Sequence, residues 1–193
     1  MELLTKNDLY SKQAYENLRP DFRRRVMVQK DRRRVLVGEH CSIHFEYRDT
    51  VLYQILEMLR VEQNWERSEA VAAELEAYNP IIPQTGELSA TLMLEYVEEA
   101  ERHDALQRLV GIEQHVWLQI GATSPVPAQF DVAQLDADKV SSVQYIKWHL
   151  SDAQRRLLQQ DGTVVRIVID HPHYNVQAIL AEDTRRAIMH DPD

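Results

Sequence analysis

Apolar residues recur at helical spacing most clearly between Thr50 and Asn64. Leu52, Ile55, Leu56 and Leu59 form one stripe, and Val51 and Met58 widen it. Tyr53, Gln54, Glu57, Arg60 and Asn64 occupy the opposite arc. From Leu88 the period changes to two. Leu88, Ala90, Leu92, Leu94 and Tyr96 share one face of a strand, and Ser89, Thr91, Met93 and Glu95 share the other. A second alternating run sets Val116, Leu118 and Ile120 against Glu113, His115, Trp117 and Gln119. Residues 140–150 read as a further strand and 129–132 as a short one. Residues 164–169 are apolar throughout except for Arg166, which predicts a central strand.

Capping and turn residues divide the rest. Thr5 or Asn7 caps a first helix to about Leu18, and Pro20 suits the first turn of a second, to about Asp31. Residues 34–47 predict two strands around a turn near Gly38. Ser68 caps a helix to about Tyr78, and Asn79-Pro80-Ile81-Ile82-Pro83 is extended or turning because prolines cannot continue it. Glu98 and Glu99 favour the start of a helix that ends near Gly111. Ser151-Asp152-Ala153-Gln154 is a capping box for a helix to Asp161-Gly162, and a last helix covers about residues 181–190. Clean alternation favours a mainly antiparallel or mixed sheet packed by several helices, a two-layer α+β fold. No repeat or long linker divides the chain. Residues 1–193 read as a single domain, with an N-terminal helical and basic segment, about 5–34, packing on the α+β body.

Composition narrows the class. With 193 residues, 44% hydrophobic and 27% charged, the chain can bury a core and fits neither disorder nor a membrane protein. No apolar run approaches the roughly 20 residues that span a bilayer. The start of the chain lacks a basic segment followed by an apolar one, and Cys41 is the single cysteine. A cytoplasmic protein is expected. The net charge of −9 is segregated. Between Arg19 and Arg34 eight basic residues face two acids, a local +6, while the remainder carries 14 basic and 29 acidic residues, −15. That acidic body argues against non-specific nucleic-acid binding. No P-loop, dinucleotide fingerprint, nucleophile elbow, paired-cysteine or H-E-x-x-H motif occurs, which weighs against the commonest enzyme classes.

Five constellations bear chemistry. His40, Ser42, His44 and Glu46 alternate along one strand face, so His44 and Glu46 are metal-ligand candidates for zinc or iron; the plainer reading is a solvated edge strand. His171 and His173, in Asp170-His171-Pro172-His173-Tyr174-Asn175, are further candidates, against the plainer reading of a polar turn. Glu57 and Arg60 can pair on a helix surface. Glu62 points into the apolar arc, so either the helix frays there or Glu62 has a buried partner. Arg23, Arg33 and Arg60 are candidates for an anionic ligand or partner, because guanidinium forks bind carboxylates and phosphates bidentately. Ion pairing within the fold or between subunits is the plainer account of the basic segment. Finally, Met93, Glu95, His115, Trp117 and Gln119 read as one outward sheet face, covered by a loop or by a second copy.

Several stretches occur in a familiar order: Arg19-Pro20-Asp21-Phe22-Arg23 with Arg33-Arg34-Val35; residues 45–50; residues 57–62; Ala77-Tyr78-Asn79-Pro80-Ile81-Ile82-Pro83; and Gly111-Ile112-Glu113. Together they resemble a bacterial family of unknown function, domain of unknown function 3501, over nearly the whole chain. The resemblance brings no activity and no site residues. It implies a genomic neighbourhood of rubrerythrin-like proteins and iron–sulfur oxidoreductases, an association rather than a mechanism. The leading expectation is a non-catalytic accessory or interaction protein of redox or stress metabolism, a homodimer, with a rubrerythrin-like protein or an iron–sulfur oxidoreductase as a partner. The alternatives are a metal-binding enzyme or metal-handling protein using His44, Glu46, His171 and His173 with Glu57 or Glu62, and a small anionic-ligand-binding protein using Arg23, Arg33 or Arg60.

Overall fold

The structure is a computed structural model and describes residues 1–134 and 136–189. Its helices are α1 (Lys12–Arg32), α2 (Arg48–Val61), α3 (Ser68–Tyr78), α4 (Glu99–Arg108), α5 (Asp152–Gln159) and α6 (Glu182–Met189). Its strands are β1 (Arg34–Leu36), β2 (Cys41–Phe45), β3 (Glu87–Leu94), β4 (Val116–Ile120), β5 (Val126–Pro127), β6 (Gln129–Phe130), β7 (Val143–His149), β8 (Val165–His171) and β9 (Tyr174–Ile179). The fold is α+β and every strand pair is antiparallel.

The strands divide between two sheets. One has five strands in the order β1-β2-β3-β7-β6, and the other has four in the order β5-β4-β8-β9. They share one core. Ile43, Phe45, Leu92, Ile146 and Trp148 of the first sheet meet Val116, Leu118, Ile120, Ile167 and Ile169 of the second. β5 and β6 nearly adjoin in sequence yet belong to different sheets, so Ala128 marks the crossing. Alternation in each strand is visible in the sequence, but which strands share a sheet depends on pairing between distant segments.

A second core lies among the helices. Tyr15, Phe22 and Val26 of α1 pack with Val51, Leu52, Ile55, Leu56 and Leu59 of α2 and Val71 of α3. This layer covers the other face of the five-stranded sheet, where Tyr145 joins it. Its cohesion explains one departure from expectation. α1 runs unbroken through Pro20, where the sequence predicts a helix start. An interior proline costs about 3 kcal/mol, and the apolar face on both sides of Pro20 offsets it by packing on α2. The residues before α1 form only a short 3-10 turn at Lys6–Asp8. Two further departures concern ends. The Asp170–Asn175 stretch is not a turn leaving the sheet but the end of β8, the hairpin turn and the start of β9, a strand the sequence reading missed. α6 is described to Met189, so the predicted terminus at His190 lies outside the described residues.

Candidate functional site

A sheet covered on both sides ordinarily carries apolar residues on both faces. The five-stranded sheet does not. On β2, Cys41, Ile43 and Phe45 point into the sandwich, which sends Ser42 and His44 toward the helices, with Glu46 next in line. Register aligns Arg34 with His44, His44 with Thr91, and Thr91 with Tyr145, a polar row across four strands. Ser42, Glu46, Ser89 and Thr91 are all buried.

These groups satisfy one another in two networks. The Ser42 hydroxyl donates to Glu95 Oε1 at 2.8 Å and lies 2.9 Å from His44 Nε2. Arg34 Nη2 donates to both Glu95 oxygens, at 3.1 and 2.9 Å. With the serine proton committed to Glu95, His44 Nε2 is the donor in its contact with Ser42, which assigns the tautomer. In this arrangement His44 does not act as a base toward the Ser42 hydroxyl. Burial, reinforced by the Arg34 charge, pulls the His44 pKa below its ordinary value. In the second network the Thr91 hydroxyl donates to Glu46 Oε1 at 2.7 Å.

Beside Glu46 and Thr91 lies a cavity of about 220 Å³ between the helices and the sheet. Lys30 of α1, Thr50 and Gln54 of α2, Tyr78 of α3, and Met93 and Tyr145 of the sheet also line it. Burial and the neighbouring Tyr78 push the Tyr145 hydroxyl up to about 12, so it stays a proton donor. Lys30 forms no ion pair among the described residues. The cavity thus combines a cation, a buried carboxylate and hydroxyl groups. Sequence reading found Glu46 but missed Lys30, Tyr78, Thr91 and Tyr145 as site residues. Alternation along 143–148 does place Tyr145 opposite Ile146 and Trp148, yet nothing local says that the polar side is roofed by helices.

The other candidates disperse. Arg60 Nε donates to Glu16 Oε1 at 2.9 Å. Arg33 caps the far end of α1, packs over the Tyr47 ring at 4.1 Å and donates to the Ala187 carbonyl at 2.5 Å. Glu16 and Arg33 are roughly 25 Å apart along the helix at 1.5 Å per residue. Arg23 is exposed beside Tyr53. The three arginines therefore do not line a common site. Glu57 pairs not with Arg60 but with Arg19, whose Nε and Nη2 each donate at 2.8 Å, and Tyr15 donates to it at 2.7 Å. The Arg19 hydrogen bonds hold its carboxyl below the usual range. α2 ends at Val61, and Glu62 is an exposed cap accepting from Asn64 at 2.8 Å. It needs no buried partner.

The two histidine stretches do not converge. His44 and Glu46 face the helices, whereas His171 and His173 belong to the other sheet and its hairpin turn. His171 is 4% exposed. Its Nε2 lies 3.2 Å from the Val110 carbonyl, and its Nδ1 accepts the His173 backbone N–H at 3.2 Å. Both ring nitrogens are engaged, which leaves no lone pair for a metal. Among the described residues no group of three or more His, Cys, Asp or Glu side chains is arranged to hold a metal ion. The proposed outward face also divides. Met93 lines the cavity under the helices and Glu95 is exposed just past β3, paired with Arg34, while Trp117 lies on the four-stranded sheet, where its Nε1 and His115 Nδ1 each lie 3.0 Å from Asp170 Oδ1. No helix among the described residues is long and apolar enough to cross a membrane.

A family model described as a protein of unknown function, DUF3501, matches residues 3–192. No curated protein matches the chain. A crystal structure titled as a novel protein of unknown function, from Burkholderia pseudomallei K96243, is 38% identical and superposes with a TM-score of 0.91 over 100% of both chains.

Proposed function

We propose that this chain, which belongs to the DUF3501 family, is a binding protein for a small zwitterionic molecule held between the helical layer and the five-stranded sheet. One observation carries the reading: a buried polar sheet face with a cavity that presents Lys30 and Glu46 together. Burying a carboxylate and hydroxyls costs free energy that an apolar face would not incur. Thr91 satisfies one Glu46 oxygen, and the cavity gives the carboxylate room for a second donor. A ligand ammonium or amide N–H would donate to Glu46, and a ligand carboxylate would accept from Lys30 and the Tyr145 hydroxyl. The volume of about 220 Å³ lies below the roughly 300–1,000 Å³ of pockets for drug-sized molecules, which limits the ligand to a small metabolite.

The test is a thermal-shift screen of the purified chain with the free α-amino acids and short ω-amino acids. A true ligand at a hundred times its Kd stabilises by about 2.7 kcal/mol. Glu46→Gln and Lys30→Met should each abolish the shift. A flat screen, or a shift that survives both substitutions, would overturn the reading.

A second reading, the accessory role with a protein partner, rests on the outward side of α1. Arg23, Arg24 and Arg25 are exposed there, and Arg24 meets only Asp21, at 3.1 Å, in a pair open to water. An acidic partner surface fits these charges. Reversal to Glu at all three positions should abolish capture of a rubrerythrin-like protein or an iron–sulfur oxidoreductase; undiminished capture would remove this surface from consideration. The homodimer expected from the sequence is checked by light scattering.

A further inference from the structure

A second cavity, of about 330 Å³, opens beside the residues that follow α4 and the start of β7. Gln144 projects into it from β7. Its strand partner is Leu92, so the side chain points toward the space between the sheets, and it is 0% exposed. The amide has a defined orientation. Nε2 donates toward the Ser141 carbonyl at 3.4 Å, which turns Oε1 away. That oxygen has no hydrogen-bond partner among the described residues. Buried amide oxygens are almost always paired, and an orphan marks a missing group.

The remaining polar lining supplies acceptors. Glu113 and Asp136 contribute carboxylates. Asp136 gives one oxygen to the Asp138 N–H, and Glu113 gives one to the Gln114 amide. Each carboxylate keeps a second oxygen. No lysine or arginine lines the cavity, and Val110 and Val140 supply apolar wall. Gly111 sits at the mouth, where the space a side chain would take is open.

We propose that this cavity binds an organic cation, a protonated primary amine on a short alkyl chain. Its ammonium would donate to Gln144 Oε1 and to the two carboxylates, and its methylenes would cover Val110 and Val140. A hard divalent ion is a poorer fit. It asks for six or more oxygens, and no group of three or more acidic or histidine side chains gathers among the described residues.

Titration calorimetry of the full chain with 1,4-diaminobutane and n-butylamine tests the proposal, with magnesium and calcium chloride as separate arms. Saturable amine binding is expected. Gln144→Leu should weaken it by about tenfold or more, the loss of one charge-assisted hydrogen bond. The same substitution should raise the melting temperature of the free protein, because it removes an unpaired buried oxygen. Glu113→Gln with Asp136→Asn, both at the accessible side, should weaken amine binding without altering the fold, which keeps the test intact if Gln144→Leu does not fold. Absence of amine binding, equal affinity in these variants, or a response to the divalent ions alone would overturn the proposal.

Discussion

The five-stranded sheet has two faces built from the same strands, and they are chemically opposite. Toward the second sheet it presents Ile43, Phe45, Ala90, Leu92, Ile146 and Trp148, all buried. Toward the helices it presents Ser42, His44, Glu46, Ser89, Thr91 and Tyr145, most of them buried as well. Burial is similar and composition is not. The first face gains free energy from every methylene removed from water. The second must recover its desolvation cost through hydrogen bonds, and it does so through Ser42–Glu95–Arg34 and Thr91–Glu46. Stability resides on one side of the sheet, and the groups able to recognise a ligand lie on the other.

The comparison is broken most directly on the apolar side. Ile43→Ala or Leu92→Ala should cost about 2–5 kcal/mol, a transfer loss plus a cavity, measured by urea unfolding. On the polar side Thr91→Val should cost about 1–3 kcal/mol, because it leaves Glu46 buried without its donor. If Thr91→Val were neutral while Glu46→Leu stabilised the fold and left binding intact, the polar face would have no role in recognition.

A smaller effect separates the faces by pH. Burial depresses the pKa of His44 on the polar face, and of His171 at the edge of the second sheet, below the ordinary 6.5. The unfolded chain therefore takes up protons first as pH falls below that value, and stability declines. Above about pH 7 these histidines contribute their full share and the dependence is flat. His44→Gln and His171→Gln should each reduce the slope of unfolding free energy between pH 6.5 and lower values, whereas substitutions in the apolar core should shift the curve without changing its slope. Arg24→Ala comes last. Its pair with Asp21 is open to solvent, and the expected change lies within about 0.5 kcal/mol.

Part of the charge segregation is resolved inside the chain. Arg19 reaches Glu57 and Arg34 reaches Glu95, while Arg60, outside the basic segment, meets Glu16 on α1. These carboxylates lie 38, 61 and 44 positions from their respective partners, separations no local pattern can bridge. The sequence shows that something must neutralise the arginines. Only the packing of α1 on α2 and on the sheet edge names the partner.

What the chain determines by itself is periodicity and punctuation. The stripe of α2, the alternation of β3, β4 and β7, and the Ser151 capping box are all present in the structure. These are local properties, set by 3.6-residue and 2-residue repeats and by side chains that bond their own backbone. Tertiary structure decided the rest. It divided the strands between two sheets, carried α1 through Pro20, and roofed a polar face that alternation alone assigns to solvent. It also gathered Lys30, Glu46, Tyr78, Thr91 and Tyr145 from five elements or their flanks around one cavity. The reason is that alternation tells which side chains share a face of a strand, while the free energy of burying that face depends on what another part of the chain lays over it.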